Sequence, residues 1–264
     1  AALCTVGCIV VVRRFAEELD NGHGARTGML LPLHPIVLFN FLAAAHNDSL
    51  VMLLLLSGLL ALHRRREAVA GLLIGLSVTI KPIAVLIVPG IAAYLIADRT
   101  NRSLPQTLLV VCASGAAGAI LPFVFSPSSL TFLTNIATSQ NQGIRATIHL
   151  ASAMVGLSLD HSLLLMRLTF LGVAAYRLPT LYRQHSQTPL LFLLIASFEL
   201  LILAQIFTMQ SMTEWYVFWP LCFAACIPTG ESRRWSESVA AYYMPLAAWH
   251  VVGPWTTVLL TQVS

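Results

Sequence analysis

The chain has 264 residues, of which 57% are hydrophobic and 10% are charged, with a formal net charge of +4. An ordinary soluble domain carries roughly 25% charged residues, and no water-soluble fold of this length could hide so much apolar surface. A bilayer removes that need, because lipid tails solvate leucine and valine without penalty, and a charge this small gives no reason to invoke a nucleic-acid partner.

Apolar stretches follow one another along the chain at 1–12, 28–45, 49–63, 68–80, 82–97, 104–125, 161–178, 189–208, 215–229 and 238–260. They predict an all-α, polytopic bundle of about ten transmembrane helices, a single domain over 1–264, multi-pass in the plasma membrane. Several stretches fall short of the ~20 residues that cross a bilayer upright. Region 68–97 reads either as two short helices broken at Lys81-Pro82 or as one kinked helix, since proline removes a backbone donor and restrains the residue before it. Segment 130–159 mixes Thr134, Asn135, Ser139, Gln140, Asn141 and Gln142 with a short apolar run, and reads as a loop plus an amphipathic or re-entrant piece. The first residue is Ala, and the chain reads as a piece whose N-terminal part lies upstream. The five cysteines, Cys4, Cys8, Cys112, Cys222 and Cys226, lie inside apolar runs and read as small apolar residues.

Basic residues cluster at Arg13, Arg14 and Arg26, at Arg64, Arg65 and Arg66, at Arg99 and Arg102, at Arg177 and Arg183, and at Arg233 and Arg234. With 1–12 running inward, every cluster falls on the cytoplasmic side, as the bias of short loops toward lysine and arginine requires. Full spanning by 148–159 would flip the later clusters outward, so the preferred topology keeps that piece from crossing.

Charge on the opposite side is scarce. His46, Asn47 and Asp48 sit together between two apolar runs. They read either as a polar patch for a sugar or a metal ion, or as the cap of a helix starting near Ser49. Lys81 is the chain's single lysine. At an outer helix end, it either meets a phosphate at headgroup level or snorkels to the interface. Arg145, in the 126–147 loop, is a second candidate phosphate contact or a solvated loop arginine. Glu214, Trp215 and Tyr216, with Trp219 one turn on, match the way proteins hold a sugar ring, with acid to hydroxyls and aromatic face to C–H groups. The alternative is an interfacial aromatic belt. Glu199 and Arg167 fall inside spans, and pairing with each other or with backbone is the cheapest account of them. No His/Cys cluster has zinc spacing, and no glycine-rich phosphate loop or Gly-x-Ser-x-Gly elbow is present. The metal-ligand list is therefore empty, with a divalent cation compatible but not specified.

Taken together, Leu33-His34-Pro35-Ile36-Val37-Leu38, Ala45-His46-Asn47-Asp48-Ser49-Leu50-Val51-Met52, Val78-Thr79-Ile80-Lys81-Pro82 and Glu214-Trp215-Tyr216-Val217-Phe218-Trp219 resemble the polyprenol-phosphate-mannose-dependent mannosyltransferases of the GT-C superfamily, in particular the actinobacterial α-1,6-mannosyltransferases. The resemblance is clearest over 28–97 and 205–229, and Glu214 stands where the family more often has proline. It implies a GT-C-like bundle and an inverting transfer of mannose or another hexose from a polyprenyl-phosphate donor to a glycolipid or glycan acceptor on the outer face. It also implies a catalytic aspartate in the first outer loop. With residue 1 starting outside, that loop would lie upstream, and Asp48 is the nearest substitute within the chain. The candidate substrate-binding set from the residues and the resemblance together is His46, Asn47, Asp48, Lys81, Arg145, Glu214, Trp215 and Tyr216. A secondary transporter and another lipid-linked-sugar enzyme of the cell wall are the competing readings. A transporter would show repeated halves and midplane polar groups, whereas here the polar residues gather at one face.

Overall fold

A computed structural model describes residues 2–20, 48–98, 103–125, 156, 158–207 and 218–227. The described residues form eight α-helices and one 3-10 segment: α1 (Ala2–Asp20), α2 (Asp48–His63), α3 (Glu67–Ile80), η1 (Pro82–Ile87), α4 (Val88–Ala97), α5 (Leu104–Phe125), α6 (Leu159–His185), α7 (Pro189–Phe207) and α8 (Phe218–Cys226). Each corresponds to one of the apolar stretches, with η1 and α4 sharing a single stretch. The stretches 28–45 and 238–260 and the segment 130–155 lie outside the described residues, as do His46, Asn47, Arg145, Glu214, Trp215 and Tyr216.

The chain breaks at Lys81. Its backbone is extended (φ −141°, ψ 109°), its N–H closes α3 onto the Ser77 carbonyl, and Pro82 opens η1. This is the conformation that a following proline imposes on its predecessor. Region 68–97 is thus two helical pieces joined by η1. Two helices run further than the apolar stretches suggested. α1 continues through Arg13 and Arg14 to Asp20, with Arg13 Nε on Glu17 Oε1 at 2.8 Å one turn later. α6 continues through Arg177 and Arg183 to His185, so these two arginines are helical and not in a loop. Ser158 opens α6, its Oγ accepting from the His161 N–H.

Neighbours in sequence pack as neighbours in space along α1–α2–α3, α5 packs on α3 across the intervening η1 and α4, and α7 packs on α4, α6 and η1. α8 closes the arrangement by packing on α7, α1 and α2. The core under this closure is apolar: Phe15, Met52, Leu55, Phe192, Phe198, Phe218, Trp219 and Phe223 are fully buried. The α3–α5 contact is a backbone contact. A Cβ on Gly71 would meet Ser114 Oγ and the Val111 carbonyl, and one on Gly75 would meet the Gly115 carbonyl. Thr79 Oγ1 donates across the same seam to the Ala119 carbonyl at 2.9 Å. Small residues at spacing four, with a hydroxyl bridging the helices, are the means by which helices associate where water supplies no hydrophobic drive.

Among the described residues, two helices are long and apolar enough to cross a bilayer, over Leu104–Val124 and Leu164–His185. Both present large apolar side chains outward, among them Leu109, Ile120 and Val124 on α5 and Leu164, Leu168 and Leu171 on α6.

Candidate functional site

The N-terminus of α2, the break after α3 and the start of α8 meet at one point. α2 begins at Asp48, whose carboxylate stands where the unpaired N–H groups and the helix dipole favour negative charge. Lys81 Nζ donates to Asp48 Oδ1 at 2.6 Å. Trp219 Nε1 donates to the same oxygen at 2.7 Å, across 171 positions of sequence. The acid side chain is 0% exposed and the lysine side chain 18%, while the indole is fully buried. A buried carboxylate is costly unless it is paired and hydrogen-bonded, and here it is both.

Each partner is placed by a local sequence cause. Pro82, two residues past the end of α3 at Ile80, holds Lys81 extended, which sends the lysine stem off the helix end. Trp219 is set by α8, whose residues Phe218 to Phe223 are buried in the main core. Next to the carboxylate, Cys8 Sγ of α1 bonds the Ser49 carbonyl at 3.2 Å and so ties α1 to the first turn of α2.

Of the residues expected from sequence, the structure brings Asp48 and Lys81 into direct contact. Helix capping does not exhaust the role of Asp48, because Oδ1 is engaged by two side chains from elsewhere in the chain. Trp219, noticed in the sequence as part of an aromatic run and as the end of the Glu214–Trp219 motif of the resemblance, is the third member. Its place in that motif, one turn beyond Trp215, was the signal, and nothing in the sequence says that its N–H faces an acid 171 residues away.

Glu199 is paired with Arg177 and not with Arg167. Arg177 Nε and Nη2 reach Glu199 Oε2 and Oε1 at 2.8 and 2.6 Å. α6 and α7 form an antiparallel hairpin turning at 186–188, in which residues nearly equidistant from the turn face each other. Arg167 lies about three turns too far along and is exposed. At the other end of α2, Glu18 Oε1 accepts from Arg64 Nη2 at 2.6 Å. Its Oε2 lies 3.3 Å from His63 Nε2, and His63 Nδ1 lies 3.2 Å from the Tyr94 hydroxyl. Nearby, the hydrogen bond from Arg13, with the charges of Arg14 and Arg13, holds the Glu17 carboxyl below its usual range.

Among the described residues no three His, Cys, Asp or Glu side chains are grouped to hold a metal ion. Cys8, Cys222 and Cys226 are buried free thiols, whereas Cys112 is exposed on α5. The chemistry available at the α2–α3–α8 junction is therefore that of a partly exposed ammonium, oriented by an enclosed carboxylate. Such a group suits an anionic oxygen of a ligand.

Residues 1–97 match the model of a family described as alpha-(1->6)-mannopyranosyltransferase, N-terminal domain. Asp48 and Lys81 both lie in the matched part, and Trp219 lies outside it. No curated protein and no solved structure matches the chain.

Proposed function

We propose that this chain is an α-1,6-mannosyltransferase-like protein of the GT-C superfamily, a multi-pass plasma-membrane enzyme that moves mannose from a polyprenyl-phosphate donor to a glycolipid or glycan acceptor on the outer face; the match of residues 1–97 supports this reading. The family match supports a glycosyltransferase acting on mannose. The two long apolar helices with outward leucines and valines support a membrane location. One observation carries the choice of donor: the ion pair of Lys81 with Asp48, at the end of an apolar helix, within the segment that matches the family.

In the transfer, an acceptor hydroxyl attacks the anomeric carbon while the bond from that carbon to the lipid-phosphate oxygen breaks. The hydroxyl proton passes to a general base, and the polyprenyl phosphate departs with the bonding electrons. Lys81 meets the phosphate and offsets the charge that grows on it, which lowers the barrier as long as the cation is already in place. We assign Asp48 the orienting role. Complete burial suits it to holding Lys81 more than to taking a proton from an acceptor. His46, Asn47, Arg145, Glu214, Trp215 and Tyr216 complete the proposed site as sugar and phosphate contacts.

The test is transfer by the purified full-length protein, in lipid, from radiolabelled polyprenyl-phosphate mannose. Label should move to an endogenous glycolipid fraction from this donor and not from a nucleotide mannose. Lys81→Arg should retain part of the rate with a raised donor KM, because charge survives but shape does not. Transfer from the nucleotide sugar alone, or full donor affinity in Lys81→Ala, would overturn the proposal.

A further inference from the structure

We propose, resting on the reading above, that Trp219 is a positioning residue for Lys81, acting through Asp48, so that α8 completes a lipid-phosphate site whose charged pair belongs to the N-terminal segment. Lys81 and Trp219 donate to one and the same atom, Asp48 Oδ1, at 2.6 and 2.7 Å. An oxygen that accepts from two directions fixes the plane of its carboxylate. Lysine carries its charge on a flexible four-carbon stem, so its ammonium is placed only as well as the acceptor that holds it.

Packing alone does not account for the indole. Trp219 is fully enclosed beside Phe218 and Phe223, and phenylalanine would supply bulk and aromatic contact there as well. What phenylalanine lacks is the N–H, and in this structure that N–H is spent on a buried charged group 171 residues away. The gradient of exposure supports the same order of action. Trp219 and Asp48 are wholly enclosed, while Lys81, at 18%, has surface to offer a ligand. The segment that matches the mannosyltransferase N-terminal domain ends at residue 97, so the site takes an essential bond from beyond it.

The test uses the full-length protein in lipid with Trp219→Phe. Loss of one hydrogen bond to a charged group should lower kcat/KM for polyprenyl-phosphate mannose about tenfold. The acceptor KM should stay within about twofold, and the folded yield should be unchanged. A donor kcat/KM equal to wild type would overturn the proposal, as would donor and acceptor parameters that fall together in proportion to lost folded protein. Should the phenylalanine variant fail to fold, benzothienylalanine at position 219 keeps the ring outline and replaces N–H by sulfur. It should reproduce the donor defect, and wild-type kinetics with it would also overturn the proposal. A readout independent of catalysis separates this inference from the proposed activity. The Trp219 indole N–H resonance, assigned by its loss in Trp219→Phe or the benzothienyl variant, should shift in Asp48→Asn. A resonance unmoved by that change refutes the contact, whereas absence of mannosyl transfer in a protein showing the shift refutes the activity alone.

Discussion

The two ends of α2 carry similar chemistry in different surroundings. At its start, Asp48 is enclosed and bonded by Lys81 and Trp219. At its end, about 22 Å along the axis, His63 and Arg64 meet Glu18 where the acid side chain is 25% and the arginine 46% exposed. Both are acid–base contacts that join α2 to other helices. Water screens the second and lets its members separate at little cost, while the first has no solvent to fall back on. The enclosed contact is therefore the one whose partners must be retained together, and the open one can be edited.

That contrast can be broken most directly by removing one partner of the enclosed pair. Lys81→Met should destabilise the protein by about 3–5 kcal/mol, because the carboxylate remains buried without its counter-charge. The double change Asp48→Leu with Lys81→Met should recover most of that loss, since apolar replacement of a whole buried pair is often neutral. Thermal unfolding in one detergent checks both, and a silent Lys81→Met would place Asp48 in contact with water. The α6–α7 pair is intermediate, with Glu199 nearly enclosed and Arg177 one-third exposed. Glu199→Gln should cost about 1–3 kcal/mol, in the range of a hydrogen bond to a charged group. At the open end of α2, Glu18→Gln should cost about 1 kcal/mol or less. A larger loss there than at Glu199 would reverse the ranking by burial.

Much of this was legible in the sequence, and the gaps have physical causes. Hydrophobic runs located every described helix, because a long apolar stretch allows few alternatives. Pro82 marked the break at Lys81 for steric reasons that act between adjacent residues. Asp48 and Lys81 stood out singly because isolated charge among apolar runs is expensive. Their pairing with Trp219 was not readable, since it depends on how α8 returns to α1 and α2. Arg167 was matched with Glu199, or either with backbone, because both fall inside spans, and a span assignment does not say which residues of two helices lie level with each other. Counting back from the turn of the α6–α7 hairpin places Arg177 level with Glu199. The close approach of α3 and α5 along Gly71, Gly75 and Gly115 likewise depends on which helices meet, which the spacing of small residues alone does not say.

The central claim is that the charge of Asp48 sets Lys81 for the lipid phosphate, and Asp48→Asn tests it most directly. Asparagine keeps the size of the side chain, caps a helix about as well and can still accept from the indole, but it carries no charge. Kinetics of mannosyl transfer by the purified full-length variant should show donor kcat/KM reduced by about one to three decades, at ~1.4 kcal/mol per decade, in a protein that still folds and is destabilised by about 1–3 kcal/mol, as for a weakened hydrogen bond to a charged group. Wild-type donor kinetics in a folded Asp48→Asn protein would contradict the account and leave Asp48 as a helix terminus and nothing more.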